Sequence, residues 1–98
     1  MADFIIRVEL HAATASDYER LHRAMEFQGF SRTIVGGDGR VHQLPTAEYR
    51  QTSTLSVEQV RQKVKAVVVT VKPSYEILVV QVAGWSGYLT LAKAKAYG

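Results

Sequence analysis

The chain has 98 residues, 47% of them hydrophobic and 21% charged, with a net charge of +3 and no cysteine. That length predicts one domain, and the composition is that of a folded globular protein rather than a disordered one. Lack of cysteine excludes a disulfide scaffold, a thiolate zinc site, an iron–sulfur cluster and a cysteine nucleophile, while the mild basic bias permits nucleic acid as a partner without requiring it.

From Asp3 to His11 the chain alternates. Phe4, Ile6, Val8 and Leu10 fall on one face, and Ile5, Arg7, Glu9 and His11 on the other. Period two with one apolar face predicts a half-buried strand. Ser16 and Glu19 stand at capping-box spacing, and Tyr18, Leu21 and Met25 follow at helical intervals. A first helix is expected over Asp17 to Gln28, stopped by Gly29, which takes the left-handed conformation cheaply. Phe30 to Val35 reads as a strand ending in the turn Gly36-Gly37-Asp38-Gly39. The returning strand meets Pro45, which donates no hydrogen bond, so the return is an edge segment or two pieces, the more regular one Glu48 to Leu55.

Ser56 and Gln59 form a second capping-box pattern before Val57, Val60, Val64, Val67 and Val68, the apolar stripe of a second helix. The β-branched run Val67 to Val71 is equally compatible with extended chain, and Pro73 ends the segment either way. Tyr75 to Ala83 reads as the last strand. Gly84 to Gly87 breaks it, and Tyr88 to Gly98 is a tail of moderate helical propensity. The order β-α-β-β-α-β predicts an α+β, ferredoxin-like fold, an antiparallel sheet with two helices on one face plus a short C-terminal tail. The expected division is a domain over residues 1–84 and a tail over 85–98, packed on the same domain or on a dimer mate. Ile5, Ile77 and Val79 are expected on the free sheet face, where an exposed apolar patch favours a homodimer.

No apolar run reaches the roughly 18 residues of a membrane span. The start Met1-Ala2-Asp3 lacks the basic and apolar regions of a signal peptide, so a cytoplasmic protein is expected. The glycine-rich turn lacks the Lys-Ser/Thr of a phosphate-binding loop, and there is neither a His-Glu-x-x-His metal motif nor a Gly-x-Ser-x-Gly elbow. The three histidines are scattered, and no metal or cofactor is expected. Arg7, Glu9 and His11 on one strand face carry a guanidinium, a carboxylate and an imidazole, the groups needed for acid–base work on a phosphodiester. They read equally as the wet side of a half-buried strand with cross-strand ion pairs. Arg20, His22 and Arg23 are expected exposed on the first helix, gripping a phosphate backbone or paired with Glu19 and Glu26. Arg32, Arg40, His42 and Arg50 add charge around the hairpin, where Phe30 and Tyr49 would stack the bases of single-stranded RNA. Tyr75, Trp85 and Tyr88 read as anchors of the tail.

Three groups of residues carry a family resemblance. They are Phe4-Ile5-Ile6-Arg7-Val8-Glu9 with Arg20-Leu21 and Met25; Phe30-Ser31 with Ile34-Val35; and Gly39-Arg40, Gln43-Leu44 and Thr52-Ser53-Thr54-Leu55. Together they resemble the GhoS family, the antitoxin endoribonucleases of type V toxin–antitoxin systems. The resemblance spans about Phe4 to Val64, more loosely Ile77 to Val82. It implies a ferredoxin-like fold akin to the small dimeric CRISPR-associated endoribonucleases, and a bacterial protein that cleaves the messenger RNA of a membrane-active toxin. Glu9 matches the family's acidic residue late in the first strand. Arg20 matches one basic residue of its first helix, and His22, with Arg23 adjacent, stands where the family carries a second arginine. The expected catalytic residues are Glu9, His11 and His22, and the expected RNA contacts Arg7, Arg20, Arg23, Arg32, Arg40 and Arg50. The alternative is a non-catalytic, small dimeric binding module of the same fold.

Overall fold

The computed structural model describes residues 1–92. Seven elements follow one another: β1 (Ala2–Leu10), α1 (Ala15–Phe27), β2 (Thr33–Val35), β3 (Val41–Gln43), β4 (Glu48–Ser53), α2 (Val57–Val68) and β5 (Tyr75–Gln81). β1 lies between β4 and β5, antiparallel to both. The β2–β3 hairpin forms a second small sheet, joined to β4 by paired backbone hydrogen bonds between Ser31 and Arg50 (2.8 and 2.7 Å). The order β5-β1-β4 followed by the segment at Ser31 is the expected ferredoxin-like arrangement. Pro45 and Ala47 explain its frayed edge. Pro45 has no N–H to give a ladder, its carbonyl closes a turn onto Glu48, and Ala47 has φ +62°. The return therefore splits into β3 and β4, and the 30–35 segment leaves β4 after Ser31 to pair with β3.

One sheet face carries the core. Phe4, Ile6, Val8 and Leu10 of β1 and Tyr49 of β4 meet Leu21 and Met25 of α1, Phe30, and Val60, Val64 and Val68 of α2. Burying side chains of this size stabilises by roughly 1.5–3 kcal/mol each relative to exposure, so this layer fixes the fold. The register corrects one expectation. Val8 opposes Ile77 and Ile6 opposes Val79, so Ile77 and Val79 point into the core with the even residues of β1. Leu78 and Val80 share the free face with Ile5. A shift of one residue moves a whole strand's side chains to the other face.

The helix ends follow local chemistry. α1 is capped by Thr14, not Ser16: the Thr14 hydroxyl accepts from the Asp17 amide (3.2 Å), and the Asp17 carboxylate accepts from the Thr14 amide (2.9 Å). Thr14-x-x-Asp17 is the same box two residues earlier, and it gives Asp17 two cations as well, Arg20 (3.1 Å) and Lys72 (3.4 Å). The Thr14 amide above all, with these cations, pulls the Asp17 carboxyl down to about 2. At the other end Gly29 has φ +85°, and the amides of Gly29 and Phe30 donate to the carbonyls of Glu26 and Met25, a Schellman stop. α2 carries the expected Ser56–Gln59 box. The valine run stays helical through Val68 and then turns.

The last strand ends at Gln81, short of Ala83. The tail beyond it is extended, not helical, as far as it is described: Gln43 donates to Thr90, Ala92 to Val41, and Leu91 bridges His42. The expected helical tendency over residues 93–98 lies outside the described residues. The aromatic trio is not brought together. Tyr75 packs against the core at the start of β5, Trp85 stands after its end, and Tyr88 is fully exposed.

Candidate active site

The alternation of β1 sends Arg7, Glu9 and His11 to the free face, all exposed. β5 delivers Glu76 directly opposite Glu9 and Leu78 opposite Arg7. His11, just past the strand, reaches across. Its Nε2 lies 3.0 Å from Glu76 Oε2 and its Nδ1 2.8 Å from Ser74 Oγ. The backbone reinforces this, because the His11 amide donates to the Ser74 carbonyl (3.1 Å). Arg7, Glu9 and Glu76 line a shallow hollow of about 230 Å³ floored by Ile77 and Leu78. An imidazole oriented by a carboxylate, a second carboxylate beside it and a guanidinium one step along the strand form an acid–base group with an anion-binding arm.

Glu9, His11 and Glu76 also offer ligand atoms within 4.8 Å of one another, and one imidazole with two carboxylates is a donor set that suits a divalent transition metal. Sequence reasoning looked for ligands among the histidines, which the fold keeps apart. It missed Glu76 and Ser74 because both come from the β5 side, and a reading that turns Ile77 outward turns Glu76 inward. The signal present in the sequence was parity: of the two faces of 75–81, only one carries an acid.

His22 belongs elsewhere. It lies on the helix-covered side of the sheet, half-buried between the rings of Tyr18 and Tyr49, and its Nδ1 is 2.6 Å from the Tyr49 hydroxyl. Burial, then the Arg32 charge, lowers its pKa below the usual histidine value. Burial likewise pushes the Tyr49 hydroxyl up, so Tyr49 donates and His22 accepts. The structure thus brings Glu9 and His11 together and leaves His22 apart from them, not exposed as expected. Phe30 and Tyr49, expected to stack bases, are both wholly buried.

The arginines divide. Arg7 and Arg50 share the free face, where Arg50 is bound to Asp3 (2.8 Å). A hydrogen bond from Thr52, and then Arg50, holds the Asp3 carboxyl below its ordinary value. Arg20 is tied to Asp17 and to the Val71 carbonyl (3.1 Å each), which staples α1 to the end of α2. Arg23 is exposed and has no hydrogen bond or ion pair among the described residues. Arg32 is half-buried with its Nε unpartnered. Arg40 sits on the hairpin turn against Asp38 (3.2 Å).

A ferredoxin-like domain with a histidine–carboxylate cluster on its uncovered sheet face is the class that fold and site define. The chain belongs to the GhoS family, described as Endoribonuclease GhoS, whose profile matches residues 1–88. The chain is also similar to the Uncharacterized protein YdiZ of Escherichia coli strain K12 and to that of Escherichia coli O157:H7. Each is 31% identical over 61 residues, which covers 62% of this chain. The match spans 64% of the length of those relatives. No helix among the described residues is long and apolar enough to cross a membrane.

Proposed function

We propose that this protein is an RNA-binding endoribonuclease acting in the cytoplasm as the antitoxin of a toxin–antitoxin system, cleaving the toxin's messenger RNA at the free face of its sheet. The observation that carries the reading is the Glu9–His11–Glu76 cluster, with Arg7 beside it, in a chain of the Endoribonuclease GhoS family. Glu9 accepts the proton of the 2′-hydroxyl as that oxygen attacks phosphorus. His11 gives a proton to the departing 5′-oxygen, and Arg7 neutralises the charge gathering on the phosphoryl oxygens. The products are a 2′,3′-cyclic phosphate and a 5′-hydroxyl, and no cofactor enters the balance. Glu76 fixes the imidazole through Nε2. The exposed Ser74 hydroxyl at Nδ1 is the partner exchanged for substrate, at a cost of about 1 kcal/mol.

A homodimer forms part of this proposal. The outer edge of β5 has no strand beside it among the described residues, and Leu78 (60% exposed) and Val80 next to it face outward. A second copy of β5 satisfies the edge and continues the sheet, setting its own Leu78 and Val80 alongside these and leaving the face with the cluster open.

Cleavage of a labelled RNA, with and without EDTA, tests the reading. Wild-type protein cuts in EDTA and leaves cyclic phosphate ends, and His11→Ala loses about 10²-fold or more of the rate. Binding without cleavage returns the protein to the non-catalytic module. Cleavage abolished by EDTA overturns the metal-free route and makes Glu9, His11 and Glu76 metal ligands.

A further inference from the structure

A second concavity lies away from that cluster. It is an open cleft of about 550 Å³ between the β2–β3 turn and the tail, lined on the turn side by Gly36, Gly37, Asp38 and His42 and on the tail side by Trp85 and Leu89. That volume lies within the range of small-molecule sites. Its walls are of different chemistry. On one side is Trp85, an indole 45% exposed. It sits tightly over Gly87, where an added Cβ would come within 3.2 Å of the ring. On the other side is the Asp38 carboxylate. It is held by the Arg40 amide (2.9 Å), the Arg40 guanidinium (3.2 Å) and His42 Nε2 (3.4 Å). The amides of Gly37 and Asp38 find no acceptor among the described residues. His42 is not free for chemistry: its side chain is 16% exposed, and its Nδ1 faces the Leu89 carbonyl at 3.3 Å. It locks the turn to the tail, and so fixes the two walls relative to each other.

A flat aromatic wall facing a fixed acceptor, with spare backbone donors and a guanidinium at the rim, is the equipment for holding a nucleobase. We infer that this cleft is a base-binding subsite selective for guanine. The base stacks on Trp85 and presents its adjacent N1–H and N2–H donors to the Asp38 carboxylate, taking the place of the exposed Arg40 guanidinium there, which turns outward to a neighbouring phosphate. Adenine, cytosine and uracil lack that pair of neighbouring donors. The base is a residue of bound RNA or a free guanine nucleotide. The first source rests on the endoribonuclease reading, and the second does not.

The chain contains one tryptophan, so its emission reports this site alone. Guanosine monophosphate, the other three mononucleotides, ribose phosphate, and short single-stranded RNAs with or without one guanine are titrated against the full chain. The expected result is saturable change of emission with guanosine monophosphate and with the guanine-containing RNA, and weaker change with the rest. Asp38→Asn puts amide hydrogens where an acceptor is needed and lowers guanine affinity about tenfold. Gly37→Leu adds bulk at the cleft, where an added Cβ meets nothing within 4 Å, and weakens binding with the fluorophore and the fold kept. Saturation only by the oligonucleotide assigns the subsite to RNA, and saturation only by the mononucleotide assigns it to a free nucleotide. No saturation by any guanine ligand overturns the subsite, as does equal response to all bases or to ribose phosphate, or a Gly37→Leu variant that binds like wild type. A chain that binds guanosine monophosphate but neither binds nor cleaves RNA leaves the subsite standing and removes the endoribonuclease reading. One that cleaves RNA with no emission change does the reverse.

Discussion

Replacing Tyr49 by phenylalanine separates the structural role of His22 from a catalytic one. The Tyr49 hydroxyl is the 2.6 Å partner of His22 Nδ1, on a side chain with no exposed surface. The substitution keeps the ring and its packing and removes one hydrogen bond. A neutral hydrogen bond contributes about 0.5–1.5 kcal/mol, and a half-buried nitrogen left unpaired adds to the loss, so about 1–2 kcal/mol is expected. In a domain of this size each kcal/mol lowers the melting temperature by about 4–8 °C. The pH dependence has a definite sign. His22 titrates below 6.5 in the folded protein, so the unfolded chain takes up the proton first as pH falls. The stability held with neutral His22 is complete above pH 6.5 and drains as pH falls from there through the folded-state value. Urea unfolding across that window, on wild type, Tyr49→Phe, His22→Gln and the double variant, measures both effects. His22→Gln flattens its part of the pH slope. Measured where it is folded, it cleaves RNA close to wild type, whereas His11→Ala does not. An unchanged midpoint for Tyr49→Phe refutes the hydrogen-bond argument. A folded His22→Gln as inactive as His11→Ala refutes the placement of the chemistry on the free face.

Glu76→Gln keeps a hydrogen-bonding partner for His11 but loses the charge, and cleavage falls about tenfold or more with substrate affinity little changed, read from separate kcat and KM values. Thr14→Ala removes the α1 cap and costs about 1 kcal/mol in urea unfolding, while Ser16→Ala costs little. Val80→Lys places a charge beside the free β5 edge and converts a dimer to a monomer by light scattering, and a wild-type mass of one chain under the same conditions removes the dimer proposal. Arg23→Gln lowers the slope of RNA affinity against salt by about one contact, whereas Arg50→Gln, whose guanidinium is already bound to Asp3, changes it little.

The architecture was largely legible because it rests on alternation and punctuation, which are local. β1 was readable from its own residues, as were the stop at Gly29, the box at Ser56 and the break at Pro45. What failed was what two segments decide jointly. In isolation β5 is apolar on both faces, and only the register against β1 tells which of Ile77 and Leu78 is buried. The α1 cap went to Thr14 because Asp17 there also meets Lys72, a residue 55 positions later in sequence. The tail reads as moderately helical by composition, but as far as Ala92 it is held extended by β3, whose free edge supplies partners at Val41 and Gln43. At the site, Glu9 and His11 were visible from their spacing. Ser74 and Glu76, which orient the imidazole, reach it through the pairing of two strands at opposite ends of the chain, and the parity of β5 was the one local hint of Glu76.

The charge on the free face bears on how RNA reaches it. Asp3, Glu9, Glu48 and Glu76 lie there against Arg7 and Arg50, so with neutral histidine the face is acidic in a chain whose overall charge is positive. A polyanion is not drawn to such a face as a whole. The positive excess lies elsewhere, at Arg23 on α1, at Arg40 on the hairpin, and on α2 at Arg61, Lys63 and Lys65. Long-range attraction and phosphate grip therefore belong to the rims, and the sheet receives one phosphodiester at a time, positioned against Arg7. This division suits an enzyme that must release its products: strong phosphate binding at the cluster itself would hold substrate and product alike, and only interactions gained in the transition state speed the chemical step. It also favours rigid placement. Arg7 and Glu9 stand on the central strand of the sheet, Arg7 paired on both sides and Glu9 with Glu76 of β5, where the alternate residues Ile6 and Val8 are locked into the core. The packing that folds the domain thus also fixes the spacing of its proton-transfer groups.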